Sequence, residues 1–437
     1  MDSNTRQSDT IQIKEAITLI QEQAFAASGM TIYDVEAFYR SERQRIADFH
    51  KSRPDYLRSR EELLEKDPSL DYMELDLARR FDTPVPGLPY QHPYLYAWLQ
   101  DMLQYGGEKL GWSREVLSSF IIATAPTGRF NAIAIPGQEG GGMLIEDGLF
   151  NVSNRFSNEL AYLLYDKLED GRFIELHADE LGIRLDDSQD ILEYLADVIW
   201  EYIVGGYSTL PGPIGDTSEE DFSIRHILSQ ELFYFVIEHE RFHLQWWRHG
   251  QLPGKQHMQQ RCDQVWDFYV RHLMSVLPEA LSPEAFRRIY FAQQEELLAD
   301  FFAFSTIMKL GKNERTFSAA VKGGLLFFLM AGLIEHLLFQ LEDPGFTGRL
   351  YTLDGMTLSL TAIVTRRSHP YAWLRQQHLM RLIGETYPQD LQAIQTEGAK
   401  LDVIGERIRS ILDQRLASSP TKPAAHPKWK FGQSAGV

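Results

Sequence analysis

Residues 233–247, FYFVIEHERFHLQWW, place the tightest constraint on this chain. Apolar and aromatic side chains fill most of the stretch, yet His239, Glu240 and His243 stand among them as an HExxH pattern. On a helix, residues i and i+4 project from one face, so two imidazoles can serve a single ion. Leu232, Val236, His239, His243 and Trp246 or Trp247 recur at three and four residues, which predicts a helix that turns both histidines inward. Gly250 supplies a plausible stop. Glu240 sits one position round from His239, where it can reach a water held in an open coordination position. Chance alone produces HExxH in some chains with 13 histidines, so the pattern needs a third ligand to carry weight.

That ligand is expected from Gln294–Asp300, QEELLAD, at the start of an apolar run continuing as FFAFSTIM. Glu296 and Asp300 are i, i+4 and share a face. One can bind the ion while the other accepts the N–H of a ligating histidine and fixes its tautomer. Glu295 points about 100° away and is less suited as a ligand. An acidic first turn favoured by the helix dipole would account for Glu295 and Glu296. It does not account for Asp300, a charge inside an apolar run that would be costly without a partner.

The single cysteine removes thiolates from the choice of ligands and excludes a disulfide framework. Any metal centre must therefore be built from His and carboxylates, and zinc is the expected ion, although Mn, Fe or Co suit the same shell. Cys262 (RCDQVWDF) lacks the surroundings of a nucleophile and reads as a structural thiol. Gly137–Gly142 is a glycine turn without the Lys-Ser/Thr of a phosphate loop, which argues against nucleotide binding. Trp246 and Trp247 read as core or, alternatively, as a substrate wall. Glu335 and His336 sit inside the apolar stretch Gly323–Phe339; they either touch the metal shell or are paired within a helical bundle.

HExxH followed by an E-x-x-A-D helix resembles the gluzincin metallopeptidases, in particular the HtpX-like and prenyl-protease-like group. FNAIAIPG leading to GMLIEDGLF resembles that group's strands beside the active-site helix, and Ser368-His369-Pro370 with Arg375 (SHPYAWLR) resembles its late motif. The likeness covers about 113–155 and 222–385. It implies that His239, His243 and Glu296 bind one zinc ion and that Glu240 is the general base. It places Asp300 behind the ligands, with His369 and Arg375 near the site. Two departures stand out: 88 residues separate Phe150 from His239, and most HtpX-like members carry membrane helices.

The expected fold is α+β and mostly helical, a zincin-like catalytic domain with a small antiparallel sheet. Residues 1–112 read as a helical N-terminal region, with charged, amphipathic segments at 33–50 and 56–66 and a proline-rich loop over Thr83–Pro93. Residues 113–155 and 222–416 would form a discontinuous catalytic domain, and 156–221 an insertion ending in the loop Gly205–Asp221. Thr357–Val364 (TLSLTAIV) reads as a strand, and 417–437 as a disordered tail.

The net charge of −18, from 43 Lys+Arg against 61 Asp+Glu, argues against nucleic acid as a partner. Residues 1–15 lack a basic start followed by an apolar run, and Gly323–Phe339 is interrupted by Glu335 and His336. No membrane span is therefore expected, and the location is expected to be cytoplasmic. The expected activity is peptide-bond hydrolysis in a protein or peptide substrate by metal-activated water, with His369 or Tyr371 as donors to the oxyanion. An extended substrate could pair with the strand Ala132–Ile135. The alternative is a non-catalytic binding or scaffold protein with a zincin-like core. The intact Glu240 weighs against it, because a structural site needs no base.

Overall fold

The computed structural model describes residues 3–27, 90–206, 219–249, 283–342 and 372–419, apart from short gaps within them, together with a few isolated positions. Over these residues the protein is mostly helical with a small sheet, an α+β architecture. The chain divides into two compact units, 1–151 with 208–217 and 244–250, and 152–207 with 218–243 and 251–437.

The first unit contains α1 (Ser3–Ala27), α2 (Pro93–Lys109), α3 (Arg114–Ser118), β1 (Phe120–Ala125), β2 (Ala132–Pro136) and β3 (Gly141–Glu146). The proline-rich run ends in a helix start: Pro93 opens α2, and the Leu95 N–H donates to His92 Nδ1 at 3.2 Å. The sheet is mixed rather than antiparallel throughout, which corrects the expectation from sequence. Its order is β1-β3-β2, with β3 antiparallel to β2 but parallel to β1. The reason lies in β3, GGMLIE, which is buried at every position and so takes the centre. Gly142 admits the close approach of α1: a Cβ there would stand 3.0 Å from both Ile13 and Ile17. Those two isoleucines form the core with Ala123, Ala125, Ile135 and Leu144. Of the expected Gly137–Gly142 turn, residues 137–140 form the β2–β3 connection and Gly141 and Gly142 belong to β3; Asp9 holds the connection, its carboxylate accepting the Gln138 and Gly140 N–H groups at 2.8 and 2.9 Å.

Helix α4 (Asp147–Leu164) follows β3 directly and runs unbroken through residue 156, where the insertion was expected to open. Then come β4 (Tyr165–Lys167), β5 (Phe173–Glu175), α5 (Ala178–Asp187), α6 (Gln189–Ile203), α7 (Glu219–His249) and α8 (Pro283–Glu314). The second unit is completed by α9 (Phe317–Glu342), α10 (Ala372–Thr386) and α11 (Leu391–Ser418). Helix α9 is its core, packed by α6, α8, α10 and α11. Its stretch Phe317–Leu341 is long and apolar enough to cross a membrane, with mean hydropathy 1.9, and 67% of that window is buried.

Two adjacent glycines set how closely the site-bearing helices approach α9. A Cβ on Gly323 would lie 2.5 Å from Glu231 Cβ on α7, and one on Gly324 would lie 2.7 Å from Phe304 on α8. Behind them, the fully buried Lys322 ammonium is 2.7 Å from Glu175 Oε2 and 3.0 Å from Glu397 Oε2. Lys400 joins the cluster through Glu175, and Ser318 donates to Glu175 at 2.7 Å. Two lysines thus balance two carboxylates, which makes the burial tolerable and ties β5 to α9 and α11.

Most of 33–50 and all of 56–66, Cys262, the strand expected over 357–364, His369, Tyr371 and most of 417–437 lie outside the described residues.

Candidate metal centre

Helix α7 places His239 and His243 one turn apart with their ring centroids 4.9 Å from each other. Their Nε2 atoms converge to 3.2 Å. Helix α8 brings in Glu296, with Oε2 3.3 Å from His239 Nε2 and Oε1 3.4 Å from His243 Nε2. All three residues are buried, and they form a group that can hold a metal ion. The spacing supplies a test of fit. Zinc–nitrogen and zinc–oxygen bonds of about 2.0–2.1 Å in a tetrahedron place ligand atoms about 3.3 Å apart; the two Nε2 atoms stand near that spacing, and each lies similarly close to a different oxygen of Glu296.

Behind each histidine stands a different carboxylate. Asp300 Oδ1 lies 3.0 Å from His239 Nδ1, and Glu295 Oε1 lies 2.9 Å from His243 Nδ1. Arg375, from α10, grips Asp300 through both oxygens, Nε to Oδ2 at 2.8 Å and Nη2 to Oδ1 at 2.7 Å. Its Nη2 is also 3.8 Å from Glu296 Oε2, and its guanidinium lies 5.4 and 5.7 Å from the ring centroids of Phe327 and Phe328. Helix α10 is fixed at its first residue by Glu335, whose carboxylate accepts the Ala372 N–H at 3.0 Å. This resolves the Glu335–His336 pair. Glu335 holds the helix that carries Arg375, and His336 pairs with Asp413 at 2.8 Å within the bundle.

The electrostatics favour a cation between these groups. Burial alone would push His243 down, but Glu295 and Glu296 outweigh it and raise the imidazole to about 10. His239 is raised against the same burial effect by Asp300 and Glu296. Burial would raise Asp300, yet Arg375 and His239 hold it below the usual carboxylate range. Glu240, also buried, is pushed up by desolvation, against which the two imidazoles act in the opposite sense. Protons on the imidazoles and a metal ion would compete for the same lone pairs, so any metal binding here would be coupled to proton release.

Of the residues expected from sequence, the structure brings together His239, His243, Glu296, Asp300 and Arg375, with Glu240 buried beside the two histidines on α7. Glu295 was expected only to point away from the ion, and its contact with His243 Nδ1 is the feature sequence reasoning missed.

No protein-family model, curated protein or solved structure matches the chain.

Proposed function

We propose that this protein is a zinc metallopeptidase of the gluzincin type, with a zincin-like catalytic region built on α7 and α8. The observation that carries the reading is the convergence of His239, His243 and Glu296 into one buried group beside Glu240. A bound zinc ion would act as a Lewis acid on the scissile carbonyl and lower the pKa of its water towards about 7. Glu240 would accept a proton from the attacking water and return it to the leaving amine, the work of a positioned general base and acid. Its burial limits bulk water at the carboxylate and raises its affinity for a proton. Asp300 orients His239, and Arg375 keeps that aspartate ionised and aimed. The oxyanion donor is assigned to His369 or Tyr371, which directly precede α10. Substrates are proteins or peptides, with neutral or basic sequences favoured by the net charge of −18. The proposed location is the cytoplasm.

Zinc analysis of the purified protein, beside its activity on an unfolded protein such as casein, tests the reading. About one zinc per chain with chelator-sensitive hydrolysis is expected, and neither in His239→Ala. Zinc without hydrolysis would instead support a binding or scaffold role for the same core. No zinc even after reconstitution would sink both.

A further inference from the structure

The two imidazoles of the centre are wired unequally. His239 faces Asp300, a carboxylate with no exposed surface whose charge is taken up by the two-pronged grip of Arg375. His243 faces Glu295, whose side chain keeps 22% of its surface exposed. Among the described residues Glu295 has no ionic partner other than His243. One imidazole is thus locked into the protein interior through an ion pair, and the other is held by a single side chain at the solvent edge. Glu295 adjoins the ligand Glu296 on α8, so the same turn of helix supplies both a ligand and the restraint on a second ligand.

We propose that Glu295 is the positioning residue for His243 and that it sets how long the centre retains its ion. It does so by accepting the Nδ1–H, which presents Nε2 to the metal and makes that nitrogen a stronger donor. Carboxylates behind metal-bound histidines typically change metal affinity by about 10–100-fold. Because Glu295 stands at the exposed side of the pair and Asp300 at the buried one, replacing Glu295 should loosen the ion while leaving the core intact. The proposal rests on the zinc-centre reading above.

The test is the rate of zinc release to a chromophoric chelator from the full-length protein, for the parent, Glu295→Ala and Glu295→Gln. Release about 10–100-fold faster is expected for E295A, and a rate between that and the parent for E295Q, whose amide oxygen still accepts the Nδ1–H. A merely structural role would not produce that order. Histidine-selective ¹⁵N NMR of the zinc-loaded protein adds a second readout. The His243 Nδ1–H signal should lose protection from exchange in E295A while that of His239 keeps it. Parent-like release together with a retained His243 signal in E295A overturns the proposal. If E295A does not fold, E295Q decides, and a release rate equal to the parent's overturns it. A parent that binds no zinc overturns the metal centre itself, a different failure visible before any variant is made.

Discussion

Arg375 and Asp300 meet through two hydrogen bonds of 2.8 and 2.7 Å, from helices that begin 89 residues apart in the chain, at 283 and 372. The pairing makes a wholly buried carboxylate tolerable and leaves Asp300 Oδ1 facing His239. Removing one partner strands the other charge in the interior, which typically costs about 3–5 kcal/mol. Arg375→Ala is therefore expected to lower the urea midpoint of unfolding strongly. Arg375→Lys should recover only part of the loss, since an ammonium cannot reproduce the two-pronged contact. An Arg375→Ala midpoint equal to the parent's would contradict this account.

On the proposed reading, Glu240→Gln should separate holding a metal from using it. The amide keeps the size of the carboxylate but cannot accept a proton, so zinc content should stay at about one per chain. Hydrolysis should fall by about 10²–10⁴-fold, the usual contribution of a general base. Zinc analysis and casein turnover on the same sample check both halves. Loss of zinc together with activity would show that Glu240 helps to hold the ion.

Two glycines in the helical unit should respond with opposite signs to the same substitution. A Cβ on Gly323 would sit 2.5 Å from Glu231 Cβ and 2.7 Å from the Leu232 nitrogen, a clash with the helix that carries HExxH. Gly323→Ala should destabilise by about 1–3 kcal/mol through overpacking. Gly398 in α11 has room, with Leu325 Cδ1 at 3.6 Å, and Gly398→Ala should stabilise by about 0.5–1 kcal/mol from helix propensity. Thermal unfolding of the two variants gives the comparison, and equal signs would refute it.

The Glu175 cluster predicts the acid limb of stability. Burial would raise the Glu175 carboxyl, but Lys322 and Lys400 outweigh it and hold it at about 2, against an ordinary value of 4.5. A group depressed in the folded state stabilises above its unfolded pKa, and the contribution is lost as pH falls from about 4.5 to about 2. Glu397 is shifted upward, chiefly by burial, and so works in the opposite direction. Glu175→Gln should flatten stability over that window, measured as urea midpoint against pH. A slope unchanged from the parent would remove the cluster from the account.

Local pattern reaches far in this chain. HExxH and E-x-x-A-D were legible because each is a spacing on one helix, and a helix of known pitch puts i and i+4 side by side whatever surrounds it. The long helices were legible from periodicity for the same reason. The sheet was harder: its strands could be seen, but β1 pairs in parallel with β3, past its neighbour β2, a choice made by which strand can be buried on both faces. The role of Glu335 was not visible at all, since the amide it caps lies 37 residues on, at the start of another helix.

The sequence by itself determined the set of groups able to hold a metal: one cysteine excludes thiolates, and two helical spacings supply two imidazoles and two carboxylates. Tertiary structure alone decided how those groups are backed. Asp300 could be matched with Arg375, and Glu295 with His243, only once α7, α8 and α10 had packed, because a side chain's direction about its helix axis says nothing about which helix it will meet. Those crossings are set by contacts such as Gly323 on Glu231 and Gly324 on Phe304, where the absence of a Cβ, rather than the presence of a functional group, fixes the distance between the elements of the site.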